Sequence, residues 1–331
     1  MNQKIVETED GTFYNMDCRE GAGKYVKSNS VDLIITDPPY GIDGGSLHKH
    51  YNRDEKFVFE GYVEIPAEEY GDFSIEWIKE AERILKPGGT IYIVSGYTNL
   101  YHILHALRQT SLKEINHIIW KYNFGVFTKT KYISSHYHIL YYEKPKSRRT
   151  FNTECRYSLV EKGDKNKSLN YEDREDVWVI NREYKPGTMK NKNELPTELL
   201  KKMILYSSQE NDLVCDMFLG GFSTASVAIG LNRKALGFEI AEDSFKNKIP
   251  EMQKLKKGML LSEIRKPKIK KIENQGKAWT KEEKDEITAC FQKLTAEGHK
   301  KKEAVEILQQ KYQRGYWSIE KILKAEKEII G

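Results

Sequence analysis

An aspartate, two prolines and a tyrosine, Asp37-Pro38-Pro39-Tyr40, directly follow the apolar, β-branched run 31–36. Because each proline fixes its own φ angle, the Asp37 carboxylate and the Pro38 carbonyl should face one point rigidly. Both are hydrogen-bond acceptors, and an exocyclic amino group carries two donors. Such a clamp would turn the nitrogen lone pair out of the plane of a base, and the carboxylate would stabilise the charge that develops on alkylation. The Tyr40 ring is expected to stack on an extruded base. The competing interpretation is an ordinary strand-ending turn.

A second segment that could bind a ligand lies at residues 216–224, where a strand end, a turn of small residues and a helix start follow one another. Glycines such as Gly220 and Gly221 allow the backbone to approach a nucleotide-like cofactor closely. About twenty residues later Glu239 ends the next strand-like run, where a carboxylate could accept hydrogen bonds from two ribose hydroxyls. The turn alone is a weak signal, and the acidic residue after it strengthens the interpretation.

The elements that must position these segments alternate between strand and helix. We predict an N-terminal hairpin and a long loop at 41–72, which could close over an extruded base. Strands are predicted at 31–36, 90–94, 114–121, 136–143, 213–216 and 235–239, and helices near 73–86, 99–109, 197–208, 223–231 and 241–256. This order favours an α/β fold with an open, doubly wound, largely parallel sheet covered by helices on both faces.

Composition narrows the class of protein. No run approaches eighteen apolar residues, so no membrane span is expected. The four cysteines are scattered without metal or redox spacing, which favours a reducing cytoplasm without structural zinc or disulfides. The net charge of +5 lies in residues 258–331, which carry 17 Lys and Arg against 12 Asp and Glu. This C-terminal excess indicates a polyanionic partner.

The C-terminal part of the chain is predicted to be a separate helical unit. A basic linker, 258–278, precedes Thr280 and Glu283, which have the spacing of a capping box. Three apolar helix faces follow, so residues 279–331 should form a three-helix bundle. Its Trp-Thr-x-Glu-Glu start and the later Trp317-Ser318-Ile319 resemble Myb/SANT-like domains. That resemblance implies either a helix in the major groove or a protein contact.

Across most of residues 12–245 the chain resembles the amino-methyltransferases of DNA, in the β-type order where the catalytic segment precedes the cofactor segment. The matching segments are Ser30–Ile34, Asp37–Tyr40, Arg83–Gly89, Trp120–Asn123, Ser135–Leu140, Asn191–Pro196 and Asp216–Thr224. Two positions depart from the family turn: Met217 replaces a proline, and Phe222 replaces a glycine. Phe222 could displace the cofactor or turn aside from it.

The resemblance implies a seven-stranded mixed sheet at 1–257, S-adenosylmethionine as cofactor, and methyl transfer to N6 of a flipped adenine in double-stranded DNA. No metal and no covalent enzyme intermediate are expected. The implied cofactor pocket is lined by Pro196, Asp216, Phe218, Gly220, Gly221, Ser223, Thr224 and Glu239. Residues 144–190 take the target-recognition position. The expected DNA contacts are His50, Tyr51, Arg53, Lys144, Lys146, Arg148 and Arg149.

Three alternatives remain open from the sequence. Cytosine N4 fits the same two-acceptor clamp, although an aspartate as the first residue of the tetrapeptide favours adenine. The irregular positions Met217 and Phe222 would suit a DNA-binding regulator that has lost catalytic activity. A homodimer or a restriction partner subunit would also be compatible with this family.

Overall fold

The computed structural model describes residues 4–39, 65–123, 125, 127–164, 166–183, 194–267, 274 and 277–330. The chain divides into two compact units, residues 1–267 and 268–331. Within the described part of the chain, no helix is both long and apolar enough to span a bilayer.

The first unit is built on one large sheet. Its strands are β1 Ile5–Glu7, β2 Gly11–Tyr14, β3 Val31–Thr36, β4 Leu85–Ser95, β5 Lys113–Lys121, β6 His136–Glu143, β7 Val177–Val179, β8 Leu213–Asp216 and β9 Lys234–Phe238. They are ordered β1-β2-β9-β8-β3-β4-β6-β5-β7. Strands β2, β9, β8, β3 and β4 run parallel, β6 is antiparallel to β4, and β5 is antiparallel to β6.

The predicted seven-stranded mixed sheet is therefore the central part of the observed one. Strand β1 adds an antiparallel edge next to β2, and the short β7 adds a parallel edge next to β5. Sequence reasoning missed β7 because three residues, Val177–Val179, are too few to show a period. Because β3, β4 and β8 are parallel, their carboxyl ends lie along one edge of the sheet, called here the carboxyl edge.

Helices cover both faces of this sheet. They are α1 Cys18–Tyr25, α2 Tyr70–Ile84, α3 Leu100–Arg108, α4 Leu169–Asp173, α5 Thr197–Ser207, α6 Ser223–Gly230 and α7 Glu242–Gln253. Alternate residues of β3 point to opposite faces: Ile34 joins a core with α1, α2 and α3, while Leu33 and Ile35 join a core with α5 and α6. The doubly wound α/β prediction is confirmed.

The passage from α2 into β4 differs from the prediction. The helix was expected to continue to Pro87, but it ends at Ile84, and Leu85 is already extended with ψ 135°. Pro87 disfavours helical geometry at the residue before it, so the chain leaves the helix early. Gly88, with φ +81°, then donates its N–H to the Lys144 carbonyl at 2.7 Å, which starts the pairing with the end of β6.

The predicted linker is shorter than expected. Residues 258–267 pack on the first unit: Leu260 donates its N–H to the Gly230 carbonyl at 2.9 Å, and Arg265 pairs with Glu161 at 2.8 Å. Because Leu260 and Arg265 contact the first unit, residues 258–267 belong to that unit and are not a linker. The boundary between the units therefore falls after residue 267.

The described residues of the second unit form three helices, α8 Lys281–Ala296, α9 Lys301–Tyr312 and α10 Tyr316–Ile330. The predicted capping box is present, with Thr280 and Glu283 bonded reciprocally. Ile287, Leu308 and Ile319 meet in its core. The buried Arg314 lies 4.3 Å from the centroid of the Trp279 ring and pairs with Glu283 at 2.9 Å.

Candidate active site at the carboxyl edge of the sheet

Strand β3 delivers the Asp-Pro-Pro segment to the carboxyl edge. Asp37 is half-buried, Pro38 is buried, and Tyr40 lies outside the described residues. The hydroxyl of Tyr70, in the first turn of α2, donates to the Pro39 carbonyl at 2.8 Å. Tyr70 is 1% exposed, so this contact lies in a dry environment. The two prolines thus restrict the backbone of the segment, and the hydrogen bond from Tyr70 holds the segment against α2.

The Asp216 carboxylate ends β8, the strand next to β3. It accepts hydrogen bonds from the Thr36 hydroxyl at 2.9 Å and from the Phe218 N–H at 3.0 Å. Burial raises the pKa of Asp216 to about 7, because desolvation outweighs these hydrogen bonds. A carboxyl group with this pKa can change protonation when a cation binds next to it.

The glycine turn is attached to the next strand by Glu239. This carboxylate accepts the Gly220 N–H and the Ala241 N–H, both at 2.7 Å. Burial raises its pKa, and the two backbone hydrogen bonds oppose that shift. A carboxylate has about four acceptor positions, so roughly two remain for hydroxyl donors. The Ser244 hydroxyl donates to the Gly220 carbonyl at 2.9 Å and holds the other side of the turn.

Phe222 occupies its family-glycine position without disturbing the turn. Its backbone is left-handed, with φ +61°, which is the conformation that a glycine would adopt freely. Its side chain is 0% exposed and packs between Phe13 and Phe245, with ring centroids 5.4 Å and 6.0 Å away. Of the two alternatives, Phe222 turns aside from the turn and into the core.

The other predicted cofactor residues also lie around this turn. Met217 is buried in the core on the α1–α3 face. Phe218 is half-buried against Trp77 and Phe73, with centroids 5.3 Å and 5.8 Å away. Pro196 caps the start of α5, while Ser223 and Thr224 begin α6. The Glu194 side chain lies directly against Gly221, where any larger residue would clash with it.

The arrangement fits S-adenosylmethionine in charge and in space. Among the residues that the structure describes, a side chain at Gly220 would meet only the Phe218 carbonyl, at 4.0 Å, which leaves space for a ligand on that side of the turn. Asp216 can oppose the positive charge of the methionine part, and Glu239 can accept from the ribose hydroxyls. Two buried carboxylates around an open glycine turn form a site that suits a cationic nucleoside.

Four predicted DNA contacts follow β6 and lie at the other end of the strands. Strand β6 begins beside Ser95, at the carboxyl edge, and ends beside Thr90. Residues 144–149 therefore lie at the amino edge of β4, away from Asp37. The predicted contacts His50, Tyr51 and Arg53 lie outside the described residues.

Two of those four side chains are also used inside the fold. Lys144 donates to the Glu82 and Leu85 carbonyls at 2.7 Å and 2.8 Å, which satisfies the end of α2. Arg149 pairs with Glu143 at 3.1 Å. Lys146 and Arg148 are exposed. The structure does not bring these four basic residues together with the Asp37 segment, because the two groups lie at opposite ends of the strands.

Sequence reasoning missed Thr36 and Tyr70. Thr36 was read only as the end of an apolar strand, although a hydroxyl next to Asp37 was a usable signal. Tyr70 lay at the end of a predicted loop, and nothing in the pattern distinguished it from the other tyrosines of the chain.

Comparisons with known proteins identify the family and the fold. Residues 31–249 match the model of the N6_N4_Mtase family, described as DNA methylase. The chain is 30% identical over 287 residues to the type II methyltransferase M.BamHI of Bacillus amyloliquefaciens, covering 82% of this chain and 64% of that protein. It is 30% identical over 240 residues to the DNA adenine methyltransferase YhdJ of Escherichia coli K12, covering 67% of this chain and 76% of YhdJ.

Two solved structures share the fold. TTHA0409 of Thermus thermophilus, a putative DNA modification methylase complexed with S-adenosyl-L-methionine, is 21% identical with a TM-score of 0.53 over 75% of this chain and 93% of its own. The PvuII cytosine-N4-specific DNA methyltransferase is 15% identical with a TM-score of 0.52 over 75% and 94%. With two thirds of its residues matched by the family model, this chain belongs to the N6_N4_Mtase family of DNA methylases.

Proposed function

We propose that this DNA methylase transfers the methyl group of S-adenosylmethionine to N6 of an adenine extruded from duplex DNA. The observation that carries the proposal is the position of Asp37, one residue after Thr36, whose hydroxyl bonds Asp216 of the cofactor turn at 2.9 Å. The clamp and the cofactor turn thus lie at the carboxyl ends of two neighbouring parallel strands, β3 and β8. The family match supports methyl transfer to an exocyclic amine, and S-adenosylmethionine supplies an electrophilic methyl group when bound.

The clamp acts on the amine before and during transfer. The Asp37 carboxylate and the Pro38 carbonyl accept the two amino hydrogens, so the nitrogen lone pair points out of the base plane. As the new nitrogen–carbon bond forms, the nitrogen becomes positive, and the Asp37 carboxylate stabilises that charge. The bond between the methyl group and the sulfonium sulfur breaks in the same step and leaves a neutral thioether, and the nitrogen afterwards loses one proton to solvent. The amine is itself the nucleophile, so no covalent enzyme intermediate is required.

Adenine is preferred over cytosine for two reasons. The tetrapeptide begins with Asp37, which resembles the adenine enzymes more than the cytosine-N4 enzymes. One relative with 30% identity is named a DNA adenine methyltransferase. The fold itself does not discriminate, since a cytosine-N4 enzyme shares it with a TM-score of 0.52.

Within the site we assign Asp216 to the cationic methionine part and Glu239 to the ribose, with Phe218 and Gly220 lining the pocket. Gly221, Ser223, Thr224 and Pro196 frame it. We place the reaction on double-stranded DNA in the cytoplasm, and target recognition in residues 144–190. A homodimer or a restriction partner stays a prediction.

The test incubates the purified protein with mixed-sequence duplex DNA and methyl-labelled S-adenosylmethionine, then digests the DNA to nucleosides. Label in N6-methyladenosine is expected. Label in N4-methylcytosine would keep the mechanism and overturn the choice of base. No label despite normal cofactor binding would point to another substrate, and failure to bind the cofactor alongside specific DNA binding would favour the inactive regulator.

The residue that this mechanism needs most is Asp37. Asp37→Ala is expected to lower turnover by at least about a hundredfold, because a preorganised group facing the developing charge is lost. Asp37→Asn keeps a hydrogen-bond acceptor without the charge, so its turnover should lie between those of the unmodified protein and Asp37→Ala. Cofactor affinity serves as the control and should stay unchanged in both variants. Near-normal turnover of Asp37→Ala would contradict the mechanism.

A further inference from the structure

The connection between β5 and β6 presents an exposed basic and aromatic surface at the carboxyl edge. Its described tip, residues 127–135, is called here the tip segment. Tyr132 is 99% exposed and Phe127 is 74% exposed. Lys129 and Lys131 lie between them and are also exposed. Exposed apolar groups are informative when they cluster, and here two large aromatic rings occur within six residues.

The charge around the tip segment is one-sided. Residues 115–142 contain three lysines and three histidines and no aspartate or glutamate, in a chain with 49 acidic residues. Three histidines line one surface of this hairpin, and the His117 Nε2 and His138 Nδ1 atoms lie 2.8 Å apart. The three lysines give this stretch of sequence a positive formal charge with no acidic residue in it, as is common in surfaces that meet phosphates.

Sheet geometry places the tip segment near the clamp. Strand order β3-β4-β6-β5 puts β6 two strand spacings from β3, or about 10 Å, and β5 about 14 Å away. Ser95, at the end of β4, pairs with His138 near the start of β6, so the loop before β6 leaves from the carboxyl edge. These distances are close to the roughly 12 Å width of a DNA major groove.

The base of the hairpin is braced, so the tip segment is presented from a fixed platform. The Arg182 guanidinium lies 4.8 Å from the Tyr122 ring centroid and 5.2 Å from that of Tyr137. Tyr122 donates its N–H to the Ser135 carbonyl at 3.0 Å, which closes the hairpin below the tip. The Trp120 indole N–H donates to the Ile180 carbonyl at 2.8 Å, which ties the same strand to the segment after β7.

We propose that the tip segment contacts the duplex beside the extruded base. In this assignment Lys129 and Lys131 bind phosphates, and Phe127 and Tyr132 pack against bases in the groove. The inference rests on the proposed function, because it assumes that the clamp works on a base taken from duplex DNA. It gives that reaction a binding surface at the same edge as Asp37, which residues 144–149 do not.

The first measurement is the salt dependence of affinity for a mixed-sequence duplex. Each phosphate contact contributes about 0.9 to the slope of log K against log salt. The double variant Lys129→Ala with Lys131→Ala should therefore lower the slope by about two. The matched control is Lys254→Ala with Lys256→Ala, two exposed lysines just after α7, which starts at the carboxyl edge and runs away from it. The control should keep the slope of the unmodified protein.

The second measurement is steady-state methylation by Tyr132→Ala and Phe127→Ala. If each ring contributes as much as an aromatic ring does against a single-stranded base, about 1–3 kcal/mol, kcat/KM for DNA should fall by roughly five- to 150-fold. Cofactor affinity should not change, since the tip is not part of the cofactor turn. Light scattering on each variant reports whether it has the oligomeric state of the unmodified protein.

The outcomes separate this inference from the proposed function. If the unmodified protein labels no nucleoside, the proposed function fails, while the salt slopes still test the DNA contact. If it methylates adenine and the tip variants keep both slope and kcat/KM, the tip inference alone is wrong. A changed oligomeric state with unchanged DNA affinity would make the tip an interface between copies and would also overturn it.

Discussion

The Thr36 hydroxyl donates to the Asp216 carboxylate at 2.9 Å, and this bond joins the strand that carries the clamp to the strand that carries the cofactor turn. Both residues are almost fully buried. A catalytic carboxylate and an electrophilic methyl group must be held within a few tenths of an ångström, and neighbouring parallel strands provide that rigidity. We therefore propose that Thr36 is a positioning residue for both halves of the site.

This relationship predicts a pH-dependent cofactor affinity. Burial raises the pKa of Asp216 to about 7, and a cationic ligand favours the ionised carboxylate. Affinity for S-adenosylmethionine should fall as the pH drops below about 7, by up to tenfold per pH unit. Calorimetric titration between pH 5.5 and 8.5 measures it, and Asp216→Asn should flatten the profile. A constant dissociation constant from pH 6 to 8 in the unmodified protein would contradict this role.

The same group affects stability in the opposite direction. Because the pKa of Asp216 is higher in the folded protein than its ordinary value of 3.8, the folded state holds a proton that the unfolded state has released. Its contribution to the free energy of unfolding is therefore greatest below pH 4 and is lost as the pH rises through 7. At acidic pH, protonation of Asp216 should therefore lower the affinity for S-adenosylmethionine and raise the free energy of unfolding.

Tyr70 is expected to position the Asp-Pro-Pro segment without touching the reacting atoms. Tyr70→Phe removes the hydrogen bond to the Pro39 carbonyl and leaves that acceptor without this donor. Stability should fall by about 1 kcal/mol, and kcat should fall roughly tenfold because the clamp is less well oriented. Single-turnover methylation measures the loss. A drop in cofactor affinity with unchanged single-turnover rate would place the effect elsewhere.

Much of the fold could be predicted because short stretches of the sequence carry clear strand, turn and helix patterns. The apolar run 31–36 and the turn at 216–224 carry strand, turn and helix signals in order, so both segments could be placed at strand ends from the sequence. Their roles as clamp and cofactor turn stay predictions. Long-range partners could not be predicted in the same way. Nothing in the sequence links Thr36 to Asp216, 180 residues away. The family resemblance implied a phosphate contact for Lys144, whereas its amine donates to carbonyls at the end of α2.

Lys144 is expected to act on stability. Its amine satisfies two carbonyls at the end of α2, so Lys144→Met should lower the free energy of unfolding by about 1–3 kcal/mol. The salt slope of DNA binding should stay unchanged. Chemical denaturation and the salt titration decide between the two roles: a slope lower by about 0.9 with normal stability would restore the phosphate contact that the sequence predicted.

Phe222 offers a test of strain at the cofactor turn, since its φ of +61° is unfavourable for any residue with a Cβ. Phe222→Ala loses the packing against Phe13 and Phe245 and keeps the strain, so we expect a loss of about 3–5 kcal/mol. Phe222→Gly loses the same packing but relieves the strain, so it should be more stable than the alanine variant by about 1 kcal/mol.

That order reverses the usual advantage of alanine over glycine, which makes it diagnostic. Urea denaturation of both variants measures the difference, and cofactor titration reports whether the turn is intact. Both variants should bind S-adenosylmethionine like the unmodified protein while folded, because the Phe222 ring points into the core. A more stable alanine variant would contradict the expected strain at this left-handed position.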